Sequence, residues 1–544
     1  MKTYCIGIDY GTLSGRAVLV DCDNGQILAE AAMDYPHGVM DRKLPDGTPL
    51  PDSWALEDPM DYVEVLGSTV QKVLADSGID PSRVAGIGLD TTSATMIPIG
   101  RDGLPLTFHE KWQPEKHAWC KLWKHHAAQT QADRFTRTPD EGLLSHYGGK
   151  VSSEWMFPKI LEILEEAPKV YAAADRFLDA CDFLTTYLTG KTLVSSCSAG
   201  YKAFWQKEAG YPSESYLAAV HPELPEMVHK KLRAPVSALG LPVGHLTEEA
   251  CRLTGLTTNC ICAVGNVDAH ASVPGAGICE AGDLLVILGT SSCSMVCAEE
   301  EHFVPGICGS VPDGILPGLF GYEAGQPSVG DTFSWFIKNQ VPASYLEEAG
   351  EDGIFKLLDR KAAALRPGES GLIALDWWNG NRSILNNADL SGAILGYTLK
   401  TRPEEIYRAL IESCAFGFRK IIENFESHGV PVKRVFACGG ISLKNPFLMQ
   451  IYANVTGREI LVSPVLQAPA LGSAMTAAAA AGVYPSLKEA ILAMSDPEYI
   501  LYRPESLDAA SYHHLYLVYE RLYRLFGEEI PAIMWDLKER RNIL

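Results

Sequence analysis

Two short turns far apart in the chain combine glycine with hydroxyl side chains, the composition of phosphate-binding loops. Their residues are Gly11, Thr12, Ser14, Gly289, Thr290 and Ser291. Backbone N–H groups and hydroxyls in such turns can point at phosphate oxygens. Asp9, directly before the first turn, would hold Mg²⁺ through water, because Mg²⁺ gives up its hydration shell reluctantly. The first turn alone fits equally well a hairpin in which Asp9 only caps its own turn. The prediction of a phosphate site therefore depends on both turns together.

A third glycine-rich turn, ACGGISLKN at 437–445, places Gly439 and Gly440 directly after an apolar run. Backbone without side chains lets a nucleotide's base or α-phosphate approach closely. A strand-to-helix turn that needs positive φ is the alternative. With Asn445, this turn completes a predicted ATP site of the actin-like type, in which two hairpins face each other. The chain has no GxxxxGK[ST] and no GxGxxG after a strand, which argues against a P-loop or dinucleotide fold.

Apolar runs in the sequence predict the strands that position these turns. Residues 4–9 and 16–20 are predicted strands around the first turn, and 283–288 and 293–297 are predicted strands around the second. Two hairpins of one design suggest two related domains, although similar hairpins are common in α/β proteins. Further predicted strands end in Gly or Asp at 84–90, 260–265 and 434–440, where α/β folds place ligand groups.

Two helices are predicted from apolar periodicity. Residues 403–425 keep Ile406, Leu410, Cys414 and Ile421 roughly on one face. A second stripe near the C-terminus consists of Leu515, Val518, Leu522 and Phe526. Both stripes are interpreted as core packing.

The bulk composition excludes several classes of protein. The 544 residues exceed what one hydrophobic core supports, so two large domains are expected. A formal net charge of −21 disfavours nucleic acid and anionic membranes as partners. The 14 cysteines lack zinc-finger spacing and are interpreted as reduced, mostly buried thiols. With no signal-peptide core and no apolar run of membrane-spanning length, a cytoplasmic location is expected.

The segment GAILGYTLKTRPEEIYRALIE at 392–412 resembles the second signature of the FGGY family of carbohydrate kinases. It departs from that pattern at Tyr397, where an aliphatic residue is usual, and WMFPKI at 155–160 is similar to the first signature more loosely. The resemblance implies an α/β protein of two actin-like (ribonuclease H-like) domains, with an ATP and sugar cleft between them. It places the domains at 1–275 and 276–544 and implies ATP and Mg²⁺ as cofactors, a small sugar as partner and a homo-oligomer.

The resemblance also assigns the catalytic base. In this family the Asp that follows a glycine-rich segment such as AVGNVDAHA, at 263–271, takes the proton from the sugar hydroxyl, which implies Asp268. Phosphoryl transfer gains most from positioning and electrostatics. His270 is interpreted as a neighbour that packs or orients.

The sugar is inferred from five segments that are similar to family members acting on L-ribulose: KLWKHHAA at 121–128, YGGKVSSEW at 147–155, SAGYKAFW at 198–205, GYEAGQ at 321–326 and DWWNGNRS at 376–383. The similarity implies that Lys202 and Glu323 bind sugar hydroxyls, and that Ser93 lines the pocket. Trp123 and Trp54 would close that pocket, or be core residues. The implied reaction is phosphorylation of L-ribulose at O5 in arabinose catabolism. The alternatives are another pentulose, pentitol, glycerol or methylpentulose kinase of the family, and a non-kinase actin-like ATPase.

Overall fold

The computed structural model describes residues 2–140, 142–495 and 498–543. In the first half of the chain the strands are β1 (Tyr4–Tyr10), β2 (Ser14–Asp21), β3 (Ile27–Asp34), β4 (Leu56–Glu57), β5 (Val84–Thr91), β6 (Met96–Ile99), β7 (Cys120–Lys121), β8 (Arg176–Asp179), β9 (Val194–Ser195), β10 (Val236–Ser237), β11 (Pro242–His245), β12 (Ile261–Ala263) and β13 (Asn266–Val267). The α-helices of this half are α1 (Pro59–Ser77), α2 (Gln129–Arg137), α3 (Met156–Glu166), α4 (Pro168–Ala173), α5 (Ala180–Thr189), α6 (Ser196–Lys202), α7 (Glu214–Val220), α8 (Leu224–Lys231), α9 (Glu248–Thr254) and α10 (Asp268–Gly275).

The second half has the strands β14 (Asp283–Leu288), β15 (Ser292–Ala298), β16 (Gly309–Pro312), β17 (Phe320–Gln326), β18 (Ile373–Leu375), β19 (Ala393–Leu395), β20 (Arg434–Cys438), β21 (Ile460–Val462) and β22 (Ile500–Tyr502). Its α-helices are α11 (Gly330–Gln340), α12 (Ala343–Ala349), α13 (Ile354–Ala363), α14 (Pro403–Ser427), α15 (Gly440–Lys444), α16 (Pro446–Thr456), α17 (Ala468–Ala480), α18 (Leu487–Met494), α19 (Ser506–Arg524) and α20 (Ala532–Ile543).

Two large sheets share one strand order. In the first, β3, β2 and β1 are antiparallel neighbours, and β5 and then β12 continue parallel to β1. In the second, β17, β15 and β14 repeat the antiparallel set, and β20 and β21 repeat the parallel one. The predicted α/β class with two related domains is therefore confirmed. The carboxyl ends of β1 and β5 meet at one end of the first sheet, and the turn between β1 and β2 begins there.

Helix α17 from the second half packs on the sheet of the first half through glycines. A Cβ atom at Gly7 of β1 would lie 1.8 Å from the Ala470 carbonyl oxygen, and one at Gly88 of β5 would lie 2.1 Å from the Ser473 carbonyl oxygen. Gly275 of α10 meets α17 in the same way. A shared apolar cluster of residues from both sheets surrounds α17. Glycine is thus required where α17 crosses β1, β5 and α10. The domain boundary predicted after residue 275 stays a prediction.

The stripe predicted near the C-terminus packs against the core through three of its four members: Leu515, Leu522 and Phe526 are partly buried there, whereas Val518 is 44% exposed. The tyrosines of α19 are buried more deeply, and these are Tyr512, Tyr516, Tyr519 and Tyr523. The aromatic rings fill the core while hydroxyls of this set hydrogen-bond to buried or half-buried carboxylates of the second half. Within the described residues, no helix is both long and apolar enough to span a membrane, and all fourteen cysteines carry free thiols.

Candidate active site

Each of the two predicted phosphate hairpins is closed by a backbone hydrogen bond from its glycine. The Gly11 N–H donates to the Ser14 carbonyl at 3.0 Å, and the Gly289 N–H donates to the Ser291 carbonyl at 3.0 Å. A Cβ on Gly11 or Gly289 would meet only a turn carbonyl, at 3.5 and 3.8 Å. The outer face of each glycine is therefore open, which leaves room for a phosphate group beside the backbone N–H groups.

The third turn lies against the second hairpin. Gly439 follows β20 with φ +98°, and a Cβ on it would lie 2.6 Å from the Leu288 carbonyl oxygen. Gly440 opens α15, and a Cβ there would meet nothing within 4 Å. Gly439 is thus required by the backbone and by packing, whereas Gly440 faces open space of the kind a nucleotide needs.

Asn445 has protein partners for both ends of its side chain. Its Oδ1 accepts from the Leu448 N–H at 2.9 Å and caps α16, while its Nδ2 donates to Asp359 at 3.0 Å. This half-exposed side chain therefore orders the helix that follows the third turn, and its contact with ATP stays a prediction.

Three carboxyl groups gather where neighbouring strands of the first sheet end. Asp9 of β1 pairs in register with Asp90 of β5, and Asp268 follows β13, whose Asn266 pairs with Asp90. Ser473 of α17 donates to one oxygen of Asp90 at 2.5 Å, and the other oxygen is buried without a partner among the described residues. Asp9 lies 3.7 Å from the Arg16 guanidinium.

Burial and mutual repulsion disfavour ionisation of these groups. Burial raises the pKa of Asp90 well above its usual range, and the charge of Asp9 adds to the effect. Burial also raises the pKa of Asp9, against the opposing effect of Arg16. The pKa of Asp268 is raised to about 7 by burial and then by Asp9. Carboxylate oxygens are the ligands that Mg²⁺ prefers, and a divalent cation would relieve this repulsion, so Asp9 and Asp90 fit such an ion.

Lys202 and Glu323, predicted from opposite halves of the chain, form a buried ion pair. The Lys202 ammonium at the end of α6 lies 3.4 Å from Glu323 Oε2 on β17. Burial alone would raise the pKa of Glu323, but Lys202 and then His270 outweigh it and hold that pKa well below its usual range. Burial would likewise lower the pKa of Lys202, and Glu323 raises it instead. Both groups are thus charged and preorganised to bind hydroxyls.

His270 packs between Glu323, Cys197 and Tyr201. Its Nε2 lies 3.2 Å from Glu323 Oε2, its Nδ1 lies 3.0 Å from the Cys197 sulfur, and its ring stacks on Tyr201 with centroids 4.4 Å apart. Because Asp268 lies two residues earlier on the same helix, α10 carries both the candidate base and a neighbour of the Lys202–Glu323 pair. The interpretation of His270 as a neighbour that packs or orients stays a prediction.

Ser93 follows β5, the strand that carries Asp90, and its buried hydroxyl has no partner among the described residues. Trp123 donates its indole N–H to the Thr12 hydroxyl at 3.2 Å, beside the first hairpin. Trp54, in contrast, is a core residue, packed edge-on against His125. The structure therefore leaves Ser93 and Trp123 as candidate pocket residues.

Sequence reasoning missed two participants. Asp90 was predicted only as the end of the strand at 84–90, although its alignment with Asp9 follows once β1 and β5 are paired in parallel. Arg382, in the segment at 376–383, lies 4.0 Å from Glu154 of the first half. The sequence held a usable signal for Asp90, because two apolar runs that each end in Asp can be paired as parallel strands. The position of Arg382 near Glu154 required the tertiary structure.

Comparison with known proteins adds the family. Residues 4–275 match the N-terminal domain of the FGGY family of carbohydrate kinases, and residues 284–481 match its C-terminal domain. The chain is 48% identical to a ribulokinase of Bacillus licheniformis over 541 residues, covering 98% of each chain. It is 44% identical to a ribulokinase of Mycolicibacterium smegmatis over 552 residues, covering 99% of this chain and 98% of the other.

Solved structures agree on the fold. A xylulose kinase from Rhodospirillum rubrum superposes with a TM-score of 0.80 at 23% identity, covering 96% of this chain and 99% of that one. A ligand-bound xylulose kinase from Lactobacillus acidophilus gives 0.82 at 19% identity, covering 98% and 100%. At these identities the likeness establishes the two-domain fold alone.

Proposed function

Since this chain belongs to the FGGY family of carbohydrate kinases, we propose that it transfers the γ-phosphoryl group of ATP to O5 of L-ribulose. The observation that carries the choice of sugar is the similarity to ribulokinases along almost the whole chain, at 48% identity. The geometry of the site supports the reaction type, because a candidate base, a hydroxyl-binding ion pair and three glycine-rich turns lie on connected elements.

Asp268 is proposed to take the proton from the O5 hydroxyl as that oxygen attacks the γ-phosphorus. The O5–P bond forms while the bond between the γ-phosphorus and the bridging oxygen of ADP breaks, and the proton passes from Asp268 to solvent. A carboxylate with a pKa of about 7 is well matched to this task near neutral pH. General-base assistance of this kind contributes about 10²–10⁴-fold.

Lys202 and Glu323 are proposed to bind sugar hydroxyls, with Lys202 donating and Glu323 accepting. A sugar that lacks a matching hydroxyl would leave one of these buried groups without a partner, which is the physical basis of selectivity. Ser93 would supply a further hydroxyl contact. The glycines and hydroxyls of the two hairpins, together with Gly439 and Gly440, would hold the phosphates and base of ATP.

Mg²⁺ held near Asp9, through water, would neutralise charge on the transferring phosphates when bound. We further propose a cytoplasmic location and a role in arabinose catabolism, in keeping with the reaction. Assembly into a homo-oligomer stays a prediction from the family resemblance.

A coupled ADP-release assay with MgATP tests the proposal on L-ribulose, D-ribulose, ribitol, xylulose and glycerol. The highest kcat/KM is expected on L-ribulose, and ³¹P and ¹³C NMR of the product should locate the phosphate on O5. A preference for xylulose or glycerol would keep the kinase and reject the sugar. ATP hydrolysis that no sugar stimulates would instead favour a non-kinase ATPase.

A further inference from the structure

Helix α3 carries two charged side chains that are buried completely, although the proposed reaction does not use them. Lys159 is 0% exposed, and so is Glu162. Three residues apart on an α-helix, they project to one side, where they meet the chain around Trp123. A buried ammonium is rare unless its three N–H donors are satisfied, so its partners indicate its role.

The Lys159 ammonium contacts three backbone carbonyl oxygens from two separate segments. It donates to Ala94 at 2.7 Å, to Leu122 at 2.8 Å and to Lys121 at 3.3 Å. Burial lowers the pKa of Lys159 to about 7, and in the protonated form its three N–H donors match these three acceptors. Ala94 belongs to the loop that follows β5, whereas Lys121 ends β7 and Leu122 directly follows it, so one side chain joins two segments that are distant in sequence.

The first of these segments has a backbone that alanine adopts reluctantly. Ala94 has φ +55°, in the left-handed region that residues with a Cβ rarely occupy. Such a conformation persists when surrounding contacts hold it, and the hydrogen bond from Lys159 to the Ala94 carbonyl is such a contact. Ser93, the candidate pocket residue, directly precedes Ala94, so its position depends on this turn.

The second segment is held on both sides of Trp123. Lys159 binds the Leu122 carbonyl immediately before it, while Glu162 lies 2.9 Å from the Lys121 ammonium and 3.1 Å from His125 Nε2. The Trp123 indole then reaches Thr12 of the first phosphate hairpin. Helix α3 thus fixes the backbone that carries Trp123.

We propose that Lys159 is a positioning residue of the sugar site, which sets the spacing between the Ser93 loop and the Trp123 segment through three backbone hydrogen bonds. This inference rests on the proposed function, because it takes Ser93 and Trp123 as walls of the sugar pocket. Lys159 acts through these two residues and does not touch the reacting atoms.

Lys159→Met tests the proposal, with Lys169→Met at an exposed lysine of α4 as the matched control. Methionine keeps the length and the apolar stem but removes all three donors. A misplacement of about 1 Å can cost about 100-fold in rate, so we expect sugar kcat/KM to fall about 10–100-fold, mainly through a higher sugar KM. The KM for MgATP should stay within about twofold, and the control should match the wild type.

A glycine at position 94 separates positioning from general damage. Glycine occupies positive φ as readily as negative φ, so Ala94→Gly should recover part of the lost sugar affinity in the Lys159→Met protein. In the wild-type background the same change should alter sugar KM by less than about threefold. If Lys159→Met does not accumulate as folded protein, Lys159→Gln, which keeps two N–H donors, takes its place with the same expected pattern.

Three results overturn the inference: an unchanged sugar KM, an equal rise of the sugar and MgATP KM values, or no recovery by Ala94→Gly. These are distinct from failure of the proposed function, because they are measured relative to wild-type enzyme on whichever sugar it phosphorylates best. A wild type that turns over no sugar would reject both proposals at once.

Discussion

The pH dependence of the wild-type enzyme follows from the position of Asp268. Burial and the nearby charge of Asp9 raise its pKa to about 7, and only the ionised form can accept the sugar proton. About a tenth of the molecules carry that form at pH 6, about half at pH 7 and about nine tenths at pH 8. Sugar kcat/KM should therefore rise about tenfold from pH 6 to its plateau, as measured by coupled ADP release in buffers of constant ionic strength.

Asp268→Asn removes the base but keeps the shape of the side chain. We expect kcat to fall about 10²–10⁴-fold, with sugar binding by calorimetry changed far less, and the remaining rate should lose the rise between pH 6 and 8. Asp76→Asn, at an exposed aspartate of α1, is the matched control and should behave as wild type. A variant that keeps more than a tenth of the wild-type kcat, or the wild-type pH profile, would refute the assignment.

The ionisation of Asp268 that raises activity with pH should lower the stability of the folded protein. The folded protein keeps a proton on Asp268 up to about pH 7, whereas the unfolded chain releases it near pH 4. The contribution of this group to stability therefore declines as the pH rises from about 4 to about 7. Asp268→Asn should raise Tm relative to wild type at pH 8 but not at pH 4, and the reverse order would contradict the buried, proton-holding environment.

Further changes test other parts of the site. Glu323→Gln leaves the buried Lys202 ammonium without its counter-charge, and sugar kcat/KM should fall by at least about 100-fold, equivalent to about 3 kcal/mol, with Tm as the check on folding. Gly440→Val adds a side chain where no protein atom lies within 4 Å, so the KM for MgATP should rise about tenfold at unchanged Tm if the nucleotide lies there. Gly88→Ala would place a Cβ 2.1 Å from the Ser473 carbonyl oxygen, and chemical denaturation should show a loss of about 1–3 kcal/mol or more.

The local pattern of apolar residues was enough to predict the strands and helices around the site. The strand predicted at 283–288 is β14, and the helix predicted from 403 begins at Pro403 and continues to Ser427. Apolar runs and their Gly or Asp ends determine these features over a few residues. The position of Asp268 directly after a strand was predictable in the same way.

The local sequence pattern could not predict contacts between residues that are far apart in the chain. His270 meets Cys197 across 73 positions, and Ser473 meets Asp90 across 383, so these pairings arise only when sheets and helices pack. The buried tyrosines of α19 were missed for a related reason. Tyrosine can fill a core when its hydroxyl finds an acceptor, and that acceptor, such as Glu412 for Tyr512, lies on another helix.

The packing of α17 on the first sheet has a consequence for synthesis of the chain. The strands β1 and β5 are complete early, but the helix that covers their glycine-lined face leaves the ribosome about 200 residues after Gly275, some 10–40 s later at about 5–20 residues per second. During that interval the nascent first half exposes an apolar sheet face with no covering helix. A chaperone that binds this face, or the translation rate before residue 468, would therefore influence the yield of native protein.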